Sequence, residues 1–186
     1  MRTAKEMYAY CKANNFGRGF NEHNSLKHFE IIANNLQADE SVELVFIGLH
    51  NYQSATKHDN NYAYAITNKR IMMAQKKVIG SNFQTVSLDN INDITFTTGM
   101  VFGIITVDTM KERFNVAVDK ATGESINTAI HETLDRIKSG GRQKQDRTTP
   151  YDTDIASHLE YYQQLVKDGL ITEKDYEAKK RQLLGL

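Results

Sequence analysis

The stretch NYAYAITNKRIMMAQ, residues 61–75, predicts the β-hairpin around which the rest of the chain can be arranged. The run NYAYAIT alternates in side-chain character, and the run RIMMAQ follows after only two residues, Asn68 and Lys69. A two-residue link between β-rich runs is of hairpin length. Asn68 suits the turn because asparagine tolerates a positive φ. We therefore expect two adjacent antiparallel strands here.

Five further β-rich runs extend this hairpin to seven predicted strands. VELVFIGLH precedes it, and FQTVSL, DITFTTG, VFGIITVD and RFNVAVD follow it. The link TMKE is of hairpin length, and GMVFG (residues 99–103) indicates a tight turn. The exception is the long polar loop NYQSATKHDNN, residues 51–61. Short links between consecutive strands predict antiparallel topology.

Amphipathic helices are predicted on both sides of the strands. A short helix is expected over residues 3–14 and a second over about residues 25–36. A third is expected to begin with Thr122 as its N-cap and to end at the pair Gly140–Gly141. Its apolar stripe consists of Ile126, Ile130, Leu134 and Ile137. A sheet that curls into a barrel leaves an open end, which this stripe can plug.

The middle of the chain, from about Leu36 to Ile137, resembles the bacterial pleckstrin-homology (PH)-like domains. The resemblance rests on LQADESVELV, YAITNKRIMM, VSLDNINDITFTTGMVFGIITV and the closing helix. The most specific piece is AITNKR, residues 65–70. The resemblance implies an α+β fold: a seven-stranded antiparallel PH-like barrel capped by a C-terminal helix, here with N-terminal helices added. It also implies binding or assembly, with no assigned reaction.

The end of the chain is similar to the SHOCT (short C-terminal) domains, a helical hairpin often appended to bacterial and phage proteins. The match covers residues 155–186 and includes LVKDGLITEKDYEAKKRQLLG. The polar segment SGGRQKQDRTTPYDT separates it from the third helix. The predicted domains are therefore an N-terminal helical segment (1–40), a bacterial PH-like domain (41–138), a flexible linker (139–153) and a SHOCT helical hairpin (154–186).

The predicted hairpin has the residues needed to end and cap its helices, but it is too small to be stable on its own. Gly169 can end the first helix in the left-handed conformation, and Thr172 with Asp175 can cap the second. Domains below about 40 residues usually need a disulfide, a metal or a partner. We therefore expect the apolar face to be covered by the chain's own PH-like domain, by a second copy or by another macromolecule. The residues expected to carry that contact are Leu159, Tyr162, Val166, Ile171, Tyr176, Leu183 and Leu184.

Composition excludes several classes of protein. Lys plus Arg equal Asp plus Glu at 23 each, so no overall charge favours nucleic acid or an anionic membrane. The single cysteine, Cys11, excludes an intrachain disulfide and favours a reducing compartment. No stretch approaches the roughly 20 apolar residues of a membrane span. We expect a cytoplasmic protein without membrane insertion.

No motif for catalysis or a cofactor is present in the sequence. HExxH, GxSxG and a Cys/His quartet are absent, so we expect a non-enzymatic protein without a cofactor. His50, His58 and Asp59 share the long loop and form one candidate metal or ligand group. Their simpler interpretation is as solvated loop residues.

Four basic residues near one hairpin are candidates for anion binding: Lys69, Arg70, Lys76 and Lys77. The long loop offers only Lys57 as a full cation, whereas a polyphosphate site needs several convergent donors. The leading hypothesis is therefore a non-enzymatic binding or scaffold protein. Its PH-like domain would be an interaction platform, and its SHOCT hairpin would mediate oligomerisation or partner docking. The alternative is a nucleic-acid or anionic-surface binding protein that uses these four cations.

Overall fold

The computed structural model describes residues 1–17 and 20–145 and five separate positions: Gln163, Glu173, Tyr176, Glu177 and Lys180. The chain divides into two compact units, residues 1–137 and 138–186. The described elements are α1 (Ala4–Asn14), α2 (Glu22–Asn34), β1 (Val42–His50), β2 (Asn61–Thr67), β3 (Arg70–Lys76), β4 (Ser81–Ser87), a 3-10 turn (Leu88–Asn90), β5 (Ile91–Thr98), β6 (Phe102–Thr109), β7 (Arg113–Asp119) and α3 (Lys120–Gln145).

The seven strands form one antiparallel sheet in the order β4-β3-β2-β1-β7-β6-β5. The sheet curls into a half-barrel, so the predicted α+β fold class is confirmed. Its two halves are joined by a short pairing of β1 with β7, in which Leu49 faces Ala117 and His50 faces Val116. Gly48 lies at this crossing, where a Cβ would stand 2.4 Å from Val116 Cγ1. A glycine here allows the close approach of the two strands.

Helix α3 plugs the half-barrel, as its apolar stripe predicts. Ile126, Ile130 and Leu134 are buried, and Ile130 joins Phe46 and Tyr64 in the wall of the interior. The predicted ends of this helix are wrong. It begins at Lys120, because the Asp119 side chain rather than that of Thr122 accepts a backbone N–H, from Ala121 at 2.8 Å. It also continues through Gly140 and Gly141 to Gln145. Glycine lowers helix stability by only about 1 kcal/mol, so a preceding helix can pass it.

Helices α1 and α2 cover the outer face of the sheet at β1, β2 and β3. Met7, Cys11, Phe29 and Ile32 are buried in the same core as the strands. Consequently these three strands are buried over most of their length on both faces. Helix α2 begins at Glu22, three residues before the predicted start at position 25, with Asn21 as its N-cap. Among the described helices, none has the length and apolar character needed to cross a membrane.

Candidate functional site

The stretch AITNKR ties the β2–β3 hairpin to the connection between α2 and β1. Glu40 lies in that connection, and its side chain is completely buried. Arg70 donates from Nε to Glu40 Oε1 and from Nη2 to Oε2, both at 2.9 Å. The hydroxyl of Thr67 also donates to Oε1, at 2.7 Å. We call the group formed by Glu40, Thr67, Asn68, Lys69 and Arg70 the Glu40 lock.

The other members of the Glu40 lock bind the same connection. Asn68 Oδ1 accepts the Ser41 N–H at 2.9 Å, and Asn68 Nδ2 donates to the Asp39 carbonyl at 3.2 Å. Asn68 does not have a positive φ, so the predicted reason for its presence in the turn is wrong. Instead, Thr67 Oγ1 closes the turn by accepting the N–H groups of Lys69 and Arg70, at 3.1 and 3.0 Å.

The Glu40 carboxylate is ionised inside the protein. Burial alone would raise the pKa of Glu40, but hydrogen bonds from Arg70, Thr67 and the Gln37 N–H lower it to about 2. A buried carboxylate that accepts several hydrogen bonds and pairs with a cation stays charged. Arg2 adds a second clamp, because its guanidinium donates to the backbone oxygens of Gln37, Ala38 and Glu40. The described geometry therefore assigns this group a structural role.

Two of the four residues predicted to bind anions already have carboxylate partners. Lys69 Nζ lies 2.7 Å from Asp39 Oδ1, and Arg70 is paired with the buried Glu40. A ligand phosphate would have to break these ion pairs. Lys76 and Lys77 therefore remain as the candidates from the predicted group.

Lys76 and Lys77 line a groove of about 680 Å³ between the β3–β4 hairpin and α2. Lys27 and His28 form its helical side, and none of the residues that line the groove is acidic. The His28 Nδ1 atom accepts the Lys76 N–H at 2.9 Å, which ties α2 to the hairpin. We call this the basic groove. Sequence reasoning missed Lys27 and His28 because they precede the hairpin by about 50 residues and become its neighbours only on folding.

The basic groove ends at an apolar hairpin tip, which we define as residues 76–80. Val78 is fully exposed, and Ile79 is 90% exposed. The Lys77 N–H donates to the Gly80 carbonyl at 3.2 Å, and Gly80 has a φ of +78°. Two β-branched residues thus occupy turn positions where Gly, Asn or Asp is usual. Turn formation does not account for this choice.

The candidate metal or ligand group in the β1–β2 loop is not assembled. His50 is the last residue of β1 and is buried, with Nδ1 2.6 Å from the Tyr64 hydroxyl. His58 faces the loop itself: Nε2 donates to the Ala55 carbonyl, and Nδ1 accepts the Asn60 N–H. Both ring nitrogens of His58 are therefore occupied. Within the described residues, no group of three His, Cys, Asp or Glu side chains could hold a metal ion.

The same loop borders a polar cleft of about 590 Å³ beside β7. Arg113 lines the cleft together with Lys57, so Lys57 is not the only cation there. Asn115 also lines the cleft, and its Oδ1 atom is buried without a hydrogen-bond partner among the described residues. The acidic Asp59 shares this cleft and bonds Asn51 Nδ2 at 2.8 Å. The charge of the cleft is therefore mixed.

The only cysteine is unsuited to nucleophilic chemistry. Cys11 is 2% exposed, and its thiol donates to the Val45 carbonyl at 3.5 Å. Burial raises the pKa of Cys11 to about 12. The thiolate is the reactive form of cysteine, so this side chain acts as a small apolar core residue.

Most of the predicted hairpin contact lies outside the described residues. This applies to Leu159, Tyr162, Val166, Ile171, Leu183 and Leu184. The remaining residue of the set, Tyr176, is helical and half-buried. Lys180 lies one turn further along, with Nζ 5.8 Å from the centre of the Tyr176 ring and 3.1 Å from Glu177 Oε1.

Comparison with solved structures finds chains to which this one is similar. The chain is similar to the Vps36 N-terminal PH domain, with a TM-score of 0.44 and 16% identity over 56% of this chain and 86% of that one. It is similar to the C-terminal domain of an unknown protein from Leishmania infantum, with a TM-score of 0.41 and 13% identity over 58% and 92% of the two chains. A structure of the Vav1 exchange factor with PH and C1 domains gives a TM-score of 0.36 and 6% identity, over 72% of this chain and 32% of that one.

Comparison with sequences identifies the family. Among curated proteins, none matches the chain. The family described as Bacterial PH domain matches residues 36–132, more than half of the 186 residues. The match includes all seven strands, the whole Glu40 lock and the buried stripe of α3 as far as Ile130. The chain therefore belongs to the Bacterial PH domain family.

Proposed function

We propose that this protein is a non-catalytic binding or scaffold protein. Its PH-like half-barrel acts as an interaction platform, and its C-terminal segment acts as a SHOCT-like helical hairpin for oligomerisation or partner docking. PH domains are generally non-catalytic binding modules. A cytoplasmic location suits the single buried Cys11.

One observation carries the proposal of a platform. The large apolar side chains that the described part of the chain exposes all lie in hairpin turns of the sheet: Val78, Ile79, Met100, Val101 and Met110. Isolated apolar residues are common on surfaces, but clusters at defined places mark interaction sites. The rigid strands hold these turns in position, so a partner can be bound without ordering a flexible segment.

The helical hairpin is supported by the described positions near the C-terminus. Gln163 is helical and lies within the predicted first helix, and Glu173, Tyr176, Glu177 and Lys180 are helical and lie within the predicted second helix. The ion pair of Lys180 with Glu177 has the i, i+3 spacing of helix neighbours. A hairpin of this size still requires an external surface to cover its apolar face.

The test is the solution mass of the full chain compared with a version that ends at Thr149, measured by light scattering. If the hairpin mediates oligomerisation, the full chain is larger than a monomer and the shortened chain is monomeric. Leu183→Asp should reproduce the effect of truncation, whereas Glu177→Gln, at an exposed helical position, should not. Equal oligomeric states of the full and shortened chains would rule out self-association through the hairpin and leave docking of another protein.

The alternative function is binding of nucleic acid or of an anionic surface. The basic groove favours this alternative, because its lining contains three lysines and no carboxylate. Neither Lys69 nor Arg70 is required for it. The alternative predicts binding that weakens steeply with increasing salt.

A further inference from the structure

The sheet has two edge strands, and only one of them is blocked to further pairing. The strand order ends in β4 on one side and in β5 on the other. An edge strand presents unpaired backbone groups to other chains, and proteins usually block it with charges, proline or a β-bulge. On β5 the register shifts between Ile91 and Asp93. The Asp93 carboxylate also accepts the Ile94 N–H at 2.8 Å, so this donor is not available to another strand.

Strand β4 has none of these features. Its sequence, SNFQTVS, contains no charged residue and no proline. All of its residues pair in regular register with β3, from Ser81 opposite Lys76 to Ser87 opposite Arg70. Among the described elements, β3 is the only one with which β4 shares an extended contact. The outer side of β4 is therefore regular, uncharged and open within the described part of the chain.

The register of the β3–β4 hairpin decides which backbone groups of β4 point outward. The Lys77 N–H donates to the Gly80 carbonyl, and at the other end the Leu88 N–H donates to the Lys69 carbonyl. Since hydrogen-bonded and non-hydrogen-bonded pairs alternate along an antiparallel ladder, the even-numbered residues of β4 bond to β3. We call the outward N–H and C=O groups the β4 edge; they belong to Ser81, Phe83, Thr85 and Ser87. Within residues 1–17 and 20–145, no hydrogen bond is made to these groups.

We propose that the β4 edge binds an extended segment of a partner protein, which adds a further strand antiparallel to β4. Main-chain hydrogen bonds give such complexes their affinity, and side chains at alternate positions give them specificity. The rigid hairpin presents the outward groups already aligned, so only the partner segment must become ordered. This binding mode rests on the proposed function as an interaction platform, and it names the edge and the kind of partner.

The surroundings of the β4 edge define the chemistry of the segment. Phe83 is half-buried and packs against the core, so the residue directly opposite it should be apolar. Lys76 and Lys77 lie at one end of β4, and the exposed Asp89 lies beyond the other. An antiparallel segment should therefore carry a carboxylate at its C-terminal end and a cation at its N-terminal end. Its C-terminal end also reaches the hairpin tip, where Ile79 is 90% exposed.

A partner segment fits the β4 edge better than a second copy of the chain. A second copy could pair only through its own β4, because its β5 is blocked. That pairing would join small exposed polar side chains such as Ser81, Thr85 and Ser87. Stable interfaces between folded proteins bury about 1,200 Å² or more around an apolar centre. A flexible segment can instead place its own apolar side chains over Phe83 and Ile79.

The test measures binding of the full chain to a fluorescein-labelled peptide by fluorescence polarisation. The peptide begins with lysine, continues with alternating valine and threonine, and ends with two glutamates. Thr85→Pro removes one outward N–H and leaves the ladder with β3 intact, so it should weaken binding about fivefold or more. Thr98→Pro makes the same change at an exposed outward position of β5 and should bind like the unmodified chain. Thermal unfolding of both variants shows whether the fold is retained.

Modified peptides test the pairing without any change to the protein. In the proposed register the valines lie opposite Phe83 and Thr85, so the valine N–H groups face β4 and the threonine N–H groups face solvent. N-methylation of the valines should abolish binding, and N-methylation of the threonines should preserve it. Equal effects of the two modifications would overturn the proposal. Glutamine in place of both glutamates should weaken binding up to about fivefold.

Hydrogen exchange followed by NMR locates the bound peptide. In the free full chain, the amides of Phe83 and Thr85 should exchange fast and that of Gln84 slowly, because only Gln84 is bonded to β3. The peptide should slow exchange at Phe83 and Thr85 and leave Ile94 of β5 unchanged. Slow exchange at Phe83 and Thr85 without peptide would mean that the chain itself or a second copy covers the edge, and would overturn the proposal. No saturable binding at about 1 mM peptide would also overturn it. The solution mass is measured without peptide, so failure here leaves self-association through the hairpin standing.

Discussion

The Glu40 lock permits a quantitative prediction about stability. Glu40 is completely buried, and its hydrogen bonds lower its pKa from the ordinary value of 4.5 to about 2. Since one pH unit of displacement corresponds to about 1.4 kcal/mol, the native environment favours the ionised form by about 3 kcal/mol at neutral pH. Glu40→Gln removes that charge and leaves Arg70 without its partner. We expect a loss of about 3 kcal/mol of unfolding free energy, or about 6–12 °C in melting temperature for a chain of this size.

The pH dependence gives the same prediction an independent readout. Because the folded pKa of Glu40 lies below the unfolded value, its contribution is present above about pH 4.5 and is lost as the pH falls towards about 2. The difference in unfolding free energy between the unmodified chain and Glu40→Gln should therefore shrink over this range. Urea unfolding followed by circular dichroism at several pH values measures it.

The exposed ion pair beside the lock is the control. Lys69 and Asp39 are joined at 2.7 Å, but their side chains are 37% and 74% exposed. Solvent weakens such pairs to about 0–1 kcal/mol, so Asp39→Asn should have a small effect. Arg70→Met leaves the Glu40 carboxylate buried and unpaired, which should cost about 3–5 kcal/mol. The double variant Glu40→Gln, Arg70→Met should lose less unfolding free energy than the two single variants lose together. The reasoning is refuted if Glu40→Gln and Asp39→Asn have equal effects, or if the Glu40→Gln difference does not depend on pH.

Two further predictions concern the strand crossing and a buried histidine. Gly48→Ala places a Cβ 2.4 Å from Val116 Cγ1 and 2.8 Å from the Ala117 carbonyl oxygen. We expect this variant to lower the unfolding free energy, measured with urea, by about 1–3 kcal/mol. Gly140→Ala lies in a helix with open space around the added Cβ, so it should instead raise the unfolding free energy by up to about 1 kcal/mol. A lower unfolding free energy in both variants would contradict this explanation. Burial lowers the pKa of His50, so the unfolded chain binds more protons and stability should fall as the pH drops below about 6.5. His50→Phe should reduce that slope, and an unchanged slope would show that His50 does not contribute to it.

The seven strands and the antiparallel links between consecutive strands could be predicted from the sequence because their signals are local. Side-chain alternation, short links and turn residues act between neighbours in the chain, and together they indicated seven antiparallel strands. The stripe of α3 was also predictable, because Ile126, Ile130 and Leu134 lie on one helix face. The end of the helix could not be predicted. Gly140 and Gly141 each lower helix stability only slightly, which is too little to end a helix that is already formed before them.

The roles of the charged residues could not be predicted in the same way. Lys69 and Arg70 were selected as anion-binding candidates because they adjoin a hairpin. Their carboxylate partners, Asp39 and Glu40, precede them by 30 residues each. Nothing in the sequence specifies that these groups meet, since the contact depends on where the α2–β1 connection passes over the sheet.

The sequence by itself indicated seven antiparallel strands, and its resemblance to the PH-like domains implied the α+β fold class; it also predicts that the C-terminal segment needs a covering surface. The strands and the need for that surface follow from periodicity, turn chemistry and the small size of that segment. Only the tertiary structure decided which of the four candidate basic residues have a carboxylate partner among the described residues. It paired Arg70 with buried Glu40, and it brought Lys27 to Lys76 and Lys77 beside two exposed apolar residues. The physical reason is that electrostatic interactions depend on distance in space, whereas a net charge of zero is a sum over the chain and contains no distances.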